Sequence, residues 1–343
     1  MGLPSHFNAW VIDHYLKDKL DGSELRWESR PVAALKQGQV LIKSCLLSLD
    51  ASNLLWLSEK EDYLPQLQIG DLMRGNIIGR VEASAHPEFK EGEYILSLQS
   101  WADYLVIDGE ALLSDKITLK FQPHPDVPLD AYLGTLGITG WSAYIGMMEI
   151  GRLKAGDKVL ISGAAGATGI MAAQIAKAAG AIVYGLAGGA DKCQFLEEKI
   201  KLDGTIDYKA VTNLQHAIAE LMPDGVQVFF DNVGGEILDA VLPNMAINGR
   251  IVASGSVSQY GKSEQYGVKN FPLITSKRLR MEGFLILDYL HQINDVLATM
   301  EKWLLDGKLI NKNHIIHGLE NAPDGLAKLM SGGNIGKLVV YVE

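Results

Sequence analysis

Val159-Leu160-Ile161-Ser162-Gly163-Ala164-Ala165-Gly166-Ala167-Thr168-Gly169 reads as a short buried strand, a turn of small residues and the start of a helix. Small residues let the backbone come close to a pyrophosphate, and the first turn of the helix offers free N–H groups and partial positive charge to the phosphates. Ala164 stands where the first glycine of G-x-G-x-x-G is usual. The context carries more than the motif. An Ala-rich helix from Gly169 to Ala179 closes at Gly180, and Ile182-Val183-Tyr184-Gly185-Leu186 follows as a second strand. A tight strand-to-helix turn with no ligand is the competing reading. The end of the second strand selects the cofactor. An NAD enzyme keeps Asp or Glu there for the ribose hydroxyls. This chain runs Leu186-Ala187-Gly188-Gly189, with Lys192 one turn on. A cation favours the 2′-phosphate of NADP. Asp191 keeps NAD open as a minor option.

Outward from this unit, strands and helices alternate. A helix spans 191–199, a strand Val226 to Phe230, a helix Glu236 to Met245 and a strand Arg250 to Ala253. That order predicts a doubly wound parallel sheet. Leu290, Ile293, Leu297, Met300 and Leu304 form one helix face over 288–305. The first ~125 residues differ: short apolar runs at Val40–Lys43, Ile77–Val81, Gly92–Leu96 and Tyr104–Ile107 suggest a barrel-like β domain. Pro123-His124-Pro125 marks the change. Lys337 to Tyr341 is a last strand, expected to return to the first domain. No internal repeat is visible.

Two domains suit 343 residues. The composition, 48% hydrophobic and 21% charged, is that of an ordinary globular protein, and a net charge of −10 argues against nucleic acid or an anionic membrane as partner. The cluster Lys277, Arg278 and Arg280 reads as a solvated strand or helix end. Two cysteines, Cys45 and Cys193, allow no disulfide framework or multi-cysteine zinc site. The segment MGLPSHFNAW has no leader pattern, and no run reaches about 18 apolar residues without charge, so a cytoplasmic location is expected.

A two-domain chain of this order resembles the medium-chain dehydrogenases and reductases. Their alcohol dehydrogenases hold a catalytic zinc by Cys, a His-Glu pair and a later Cys or acid. The corresponding stretches here, Ser48-Leu49-Asp50-Ala51 and Arg74-Gly75-Asn76-Ile77-Ile78-Gly79, carry neither Cys nor His, so no zinc is expected. Carbonyl polarisation then falls to hydroxyls or backbone donors.

The chain resembles one zinc-free branch over nearly its whole length: the prostaglandin reductase, leukotriene hydroxydehydrogenase and 2-alkenal (double-bond) reductase family, with the bacterial curcumin reductases. The resemblance is carried by Leu133-Gly134-Thr135-Leu136-Gly137-Ile138-Thr139-Gly140, Ala164 to Gly169 and Phe230-Asp231-Asn232-Val233-Gly234-Gly235. It continues in Gly249-Arg250-Ile251, Leu279-Arg280-Met281-Glu282-Gly283-Phe284 and Asn334-Ile335-Gly336-Lys337. It implies an α/β chain with a GroES-like β-barrel domain (residues 1–127 and 308–343) and a Rossmann domain (residues 128–307). It also implies a homodimer, NADP(H) as cofactor and a small enone or enal as substrate.

The resemblance further implies where NADPH sits. Gly166, Ala167, Thr168 and Gly169 meet the pyrophosphate, and Lys192 and Tyr208 flank the adenosine phosphate. Asn232 lies near the ribose and nicotinamide. Ser254, Gly255, Ser256, Val257, Ser258 and Tyr260 wrap the cofactor. Phe284, Leu285 and Ile286 lie along the nicotinamide, and Asn334 closes the site. Asp231-Asn232 also reads as a plain Asx turn, and Phe284 to Ile286 as a core strand. In this family the tyrosine at the position of Tyr260 is the proposed acid. Hydride reaches the β-carbon of an α,β-unsaturated carbonyl, donors stabilise the enolate, and Tyr260 or water protonates the α-carbon. Tyr260 also reads as a cofactor-packing residue.

One stretch departs from the family. Its Asp-Pro-Tyr-Met-Arg is here Asp50-Ala51-Ser52-Asn53-Leu54. The pocket tyrosine becomes Ser52 and the arginine becomes Leu54, so the substrate is open. Trp101 reads equally as a pocket wall and as a core residue. Two other functions stay open: an NADPH-dependent quinone reductase, and a non-catalytic NADPH-binding protein.

Overall fold

The computed structural model describes residues 4–17, 20–60, 63–262 and 264–342. The chain divides into two compact units, Met1–Leu133 with Asn313–Glu343, and Gly134–Lys312.

The first unit begins with β1 (His6–Ile12), β2 (Leu25–Pro31), β3 (Gln39–Leu49), β4 (Arg74–Ser84), β5 (Tyr94–Ser100), β6 (Tyr104–Asp108) and β7 (Leu119–Phe121). In the second unit the chain makes β8 (Lys158–Ser162), β9 (Ile182–Ala187), β10 (Gly204–Asp207), β11 (Val226–Asp231), β12 (Met245–Ala253) and β13 (Arg280–Gly283). It then returns to the first unit as β14 (Asn313–His317) and β15 (Lys337–Tyr341).

β1 and β2 form an antiparallel pair, and seven strands form the main sheet of the first unit in the order β14-β15-β3-β4-β5-β7, with β6 also on β3. β3 is its hub. It pairs along its length with β4, at its start with β6 and at its end with β15, where Leu49 faces Leu338 and Leu46 faces Tyr341. Register shifts after Leu41 and after Ser44 bend it, which lets one strand serve two neighbours on the same side. The last strand thus returns to the first unit as expected, and the sheet is GroES-like.

The second unit is a six-stranded parallel sheet, β10-β9-β8-β11-β12-β13. Leu160, Ile161, Phe229 and Phe230 are fully buried, as strands covered by helices on both faces require. The helix Ala167–Ala178 follows β8, and Gly180, at φ +81°, ends it in the left-handed conformation expected. Two helix boundaries differ from the sequence reading. The helix read to Met245 ends at Val241, and a single 3-10 turn carries Pro243, whose missing N–H and bulky ring stop an α-helix. The helix read from 288 starts at Ile293. Leu290 belongs to a 3-10 run, Ile286–Gln292, in which an apolar residue keeps nearly the same stripe.

Candidate active site

The carboxyl ends of β8 and β11 adjoin in the parallel sheet, although the chain leaves β8 toward β9 on one side and leaves β11 toward β12 on the other. Such a switch point opens a crevice beyond the strand ends. At the end of β8, Gly163 takes φ +58°, a left-handed conformation that favours glycine. The glycine role absent at Ala164 is therefore supplied one residue earlier. Ala164 is fully buried, and its methyl fills the space left by Gly185, where a Cβ would come within 2.9 Å of it. Gly166 caps the helix with extended backbone and no side-chain bond, and Gly169 allows the helix to press on the turn: a Cβ there would lie 2.2 Å from the Gly163 carbonyl oxygen. Ala167 and Thr168 form the first helical turn.

Ser162 and Asp231 lock the two strand ends together. The Ser162 hydroxyl donates to Asp231 Oδ1 (2.7 Å) and accepts from the Asn232 N–H (2.8 Å). Asp231 Oδ1 also accepts from the N–H groups of Val233 and Gly234, at 3.0 Å each. Burial pushes the Asp231 carboxyl above its usual range, and these hydrogen bonds oppose the shift. Asp231, rather than Asn232, therefore makes the Asx turn. Asn232 donates one of its two amide N–H bonds to the Ser162 carbonyl (2.7 Å), which fixes the side chain at the strand end. Neither Ser162 nor Asp231 stood out as a site residue in the sequence.

The loop after β12 is tied to this corner. Ser254 and Gly255 donate N–H groups to the Asp231 carbonyl, at 2.9 and 3.0 Å. Val257 donates to the Asn232 carbonyl (3.2 Å), and Ser258 donates to the Val233 carbonyl through its N–H (3.1 Å) and hydroxyl (2.7 Å). Val257 opens a short 3-10 turn that ends at Tyr260. The half-buried Tyr260 hydroxyl folds back to the Ser256 N–H at 3.5 Å. The expected segments 166–169, Asn232 and 254–260 thus meet at one corner of the second unit.

A second group gathers at the ends of β9 and β10. A Cβ on Gly188 would lie 2.7 Å from the Tyr208 hydroxyl and 2.9 Å from Lys209 Cε. The place where an NAD enzyme keeps its acid is thus filled by a phenol and a lysine. Lys192 lies in the first turn of the helix Ala190–Glu198. Burial, and next the charge of Lys209, hold its ammonium below the usual lysine range. Asp207 is the nearby carboxylate, and its Oδ1 accepts from the N–H groups of Gly189 (2.9 Å) and Lys209 (3.0 Å). Lys209 escaped the sequence reading, although it is the next residue after Tyr208.

Phe284, Leu285 and Ile286 follow β13 rather than extend it, because the strand stops at Gly283. Phe284 points inward, 3.0 Å from a Cβ position on Gly146, while Leu285 is 41% exposed. In the first unit, Ser52 precedes the short helix Asn53–Trp56. Asn334 is buried and donates to the Gly336 carbonyl (2.7 Å). Trp101 is fully buried beside Gly75, and its Nε1 has no partner. Both cysteines are free. Among the described residues, no three or more His, Cys, Asp or Glu side chains are grouped to hold a metal ion, and no helix is long and apolar enough to cross a membrane.

Two family profiles match, one for the N-terminal domain of oxidoreductases over residues 8–114 and one described as zinc-binding dehydrogenase over residues 167–302. The NADPH-dependent curcumin reductase of Escherichia coli is 36% identical over 92% of this chain and 91% of its own. The NADP-dependent 2-alkenal reductase of Nicotiana tabacum is 37% identical over 89% and 87%. The crystal structure of CurA from Vibrio vulnificus in complex with NADPH is 33% identical, covers 98% of this chain and 99% of its own, and superposes with a TM-score of 0.91. The chain belongs to the zinc-independent curcumin, alkenal and prostaglandin reductase family. As a member of that family it is an oxidoreductase, and its zinc-type stretches, Ser48–Ala51 and Arg74–Gly79, hold neither Cys nor His.

Proposed function

We propose that this reductase uses NADPH to reduce the carbon–carbon double bond of α,β-unsaturated aldehydes and ketones. The observation that carries the cofactor choice is the filled space at Gly188, where Tyr208 and Lys209 exclude an acidic side chain and Lys192 adds a second cation. The residues fit a phosphorylated dinucleotide. Gly166 to Gly169 would receive the pyrophosphate at an uncapped helix start, and Lys192, Tyr208 and Lys209 would hold the 2′-phosphate. Asn232 and the 254–260 loop would hold the ribose and nicotinamide end, with Phe284 to Ile286 alongside, and Asn334 is assigned to the cofactor as well.

When bound, NADPH supplies the hydride for the β-carbon. The chain's own part is to orient the substrate, to stabilise charge on its carbonyl oxygen and to deliver a proton to the α-carbon. Tyr260 is assigned that proton: its phenol stands on a loop fixed by five hydrogen bonds to Asp231, Asn232 and Val233. Ser52 is assigned to the substrate side, whereas Trp101, fully buried against Gly75, takes the core reading rather than that of a pocket wall. On this reading the protein is a cytosolic homodimer acting on small molecules, and β13, one of the two edges of the parallel sheet, is the strand assigned to the pairing.

The test is NADPH and NADH oxidation with an alkenal, an enone and a quinone, repeated with Tyr260→Phe. Enone and alkenal turnover with NADPH is expected, reduced at least tenfold in the variant at unchanged NADPH affinity. Turnover of the quinone alone, or preference for NADH, would overturn the reading.

A further inference from the structure

The five hydrogen bonds that tie the 254–260 loop to Asp231, Asn232 and Val233 all leave from residues before Tyr260. Tyr260 itself is weakly held: its N–H reaches the Val257 carbonyl at 3.4 Å, and its hydroxyl lies 3.5 Å from the Ser256 nitrogen. The chain beyond it is held by a second set of bonds, on the helix Gly235–Val241. Gly235 and Asp239, four residues apart, lie on one face of that helix. The Gln259 amide covers Gly235, where a Cβ would come within 2.5 Å of Nε2. That Nε2 donates to the Ser258 hydroxyl (2.6 Å), and Gln259 Oε1 accepts from the Tyr266 N–H (2.7 Å).

Tyr266 carries the connection to Asp239, which is buried. Asp239 Oδ2 accepts from the Tyr266 hydroxyl (2.9 Å), its Oδ1 from the Asn270 N–H (2.7 Å), and its carbonyl from Asn270 Nδ2 (2.9 Å). Lys269 Nζ lies 5.5 Å from the centre of the Tyr266 ring and packs it from another side. The bond to Asp239 holds the Tyr266 phenol above its usual range, so the phenol keeps its proton and remains the donor. Hydrogen bonds to a carboxylate are among the stronger ones, so Asp239 grips the chain after Tyr260 firmly. The bonds run without a gap from the Val233 carbonyl through Ser258, Gln259 and Tyr266 to Asp239.

We propose that Tyr266, gripped by Asp239, is a positioning residue for Tyr260. The pair clamps the chain after the proton donor, as Asp231 clamps it before. This rests on the assignment of Tyr260 as the group that protonates the α-carbon, and it adds the residues that hold its phenol in line. All of them belong to the second unit. Displacing a reacting group by about 1 Å costs about 100-fold in rate, so a loosened clamp is felt in proton transfer.

The test is a double-mutant cycle with NADPH and a straight-chain methyl enone. Tyr266→Phe keeps the ring and removes the bond to Asp239, and should lower kcat about tenfold with NADPH affinity unchanged. In a Tyr260→Phe background the same change should cost nothing further, because its effect runs through a phenol that is already gone. Asp239→Ala should reproduce the loss. Asp239→Asn, whose amide accepts from the Asn270 N–H and donates to the Tyr266 oxygen, should restore most of it. Hydrogen–deuterium exchange reads the clamp without turnover: amides of 257–260 should exchange faster in Tyr266→Phe than in the wild type, and those of β8 should not. Unchanged kcat in Tyr266→Phe, or an equal loss with and without Tyr260, would overturn the assignment while Tyr260→Phe on its own stays impaired. Unchanged exchange at 257–260 would overturn it too. Full turnover in Tyr260→Phe would sink the proton-donor reading and the clamp's catalytic purpose together, even with the exchange difference present.

Discussion

Asp231 holds more of the site than any residue that would touch a ligand. Its Oδ1 satisfies one hydroxyl and two backbone N–H groups, and its carbonyl anchors two more. Replacing it with alanine leaves buried donors unpaired, so Asp231→Ala should lose about 3 kcal/mol in urea unfolding. Asp231→Asn retains an acceptor oxygen and should lose less than half as much. Lys192 makes a different prediction. Lys192→Ala should weaken NADPH binding by about 10- to 100-fold, as expected for loss of a charge-assisted bond, with little change for NADH. The ammonium already titrates below the ordinary lysine range, because burial and Lys209 disfavour its charge. Only the protonated form pairs with phosphate. The preference for NADPH over NADH should therefore decline as pH rises through that lowered value, sooner than a solvated lysine would allow, as affinities measured across alkaline pH will show.

At the scale of elements, the helix Ala167–Ala178 tests the turn. Alanine normally improves on glycine in a helix by about 1 kcal/mol. At Gly169 the added methyl would meet the Gly163 carbonyl oxygen at 2.2 Å, so the clash wins. Gly169→Ala should lower stability by about 2 kcal/mol and weaken NADPH binding, measured by thermal unfolding with and without the cofactor. Elements also explain what could be read beforehand. β8, β9, β11 and β12 contain apolar runs long enough to stand out, and the parallel sheet follows from them. β10, Gly204-Thr205-Ile206-Asp207, has one large apolar side chain, and β13, Arg280-Met281-Glu282-Gly283, also has one. Both are edge strands with less to bury, so their sequences carry little signal. With β10 unread, nothing drew attention to Lys209 beyond its end. The Ser162–Asp231 bond spans 69 residues and exists because β8 lies beside β11, a neighbour relation that no local pattern encodes. Asn232 and the 254–260 loop were legible through family resemblance.

For the whole molecule, β13 forms the outer edge of the parallel sheet, and its Met281 is 42% exposed. Edge strands with free N–H and carbonyl groups invite pairing, and a two-fold axis across β13 would join two such sheets into one. Met281→Lys should convert the proposed dimer to a monomer, read by light scattering at micromolar concentration. A wild type that is already monomeric would end that reading.

The pairing of β3 with β15 also bears on how the protein is made. A chain emerging from the ribosome exposes β3 early, but the partner for Leu46 to Leu49 arrives with the final residues of β15. All six strands of the parallel sheet have left the ribosome before then. The second unit can therefore complete its core before β15 is made, whereas the first unit must wait for β15, with its central strand held open until then.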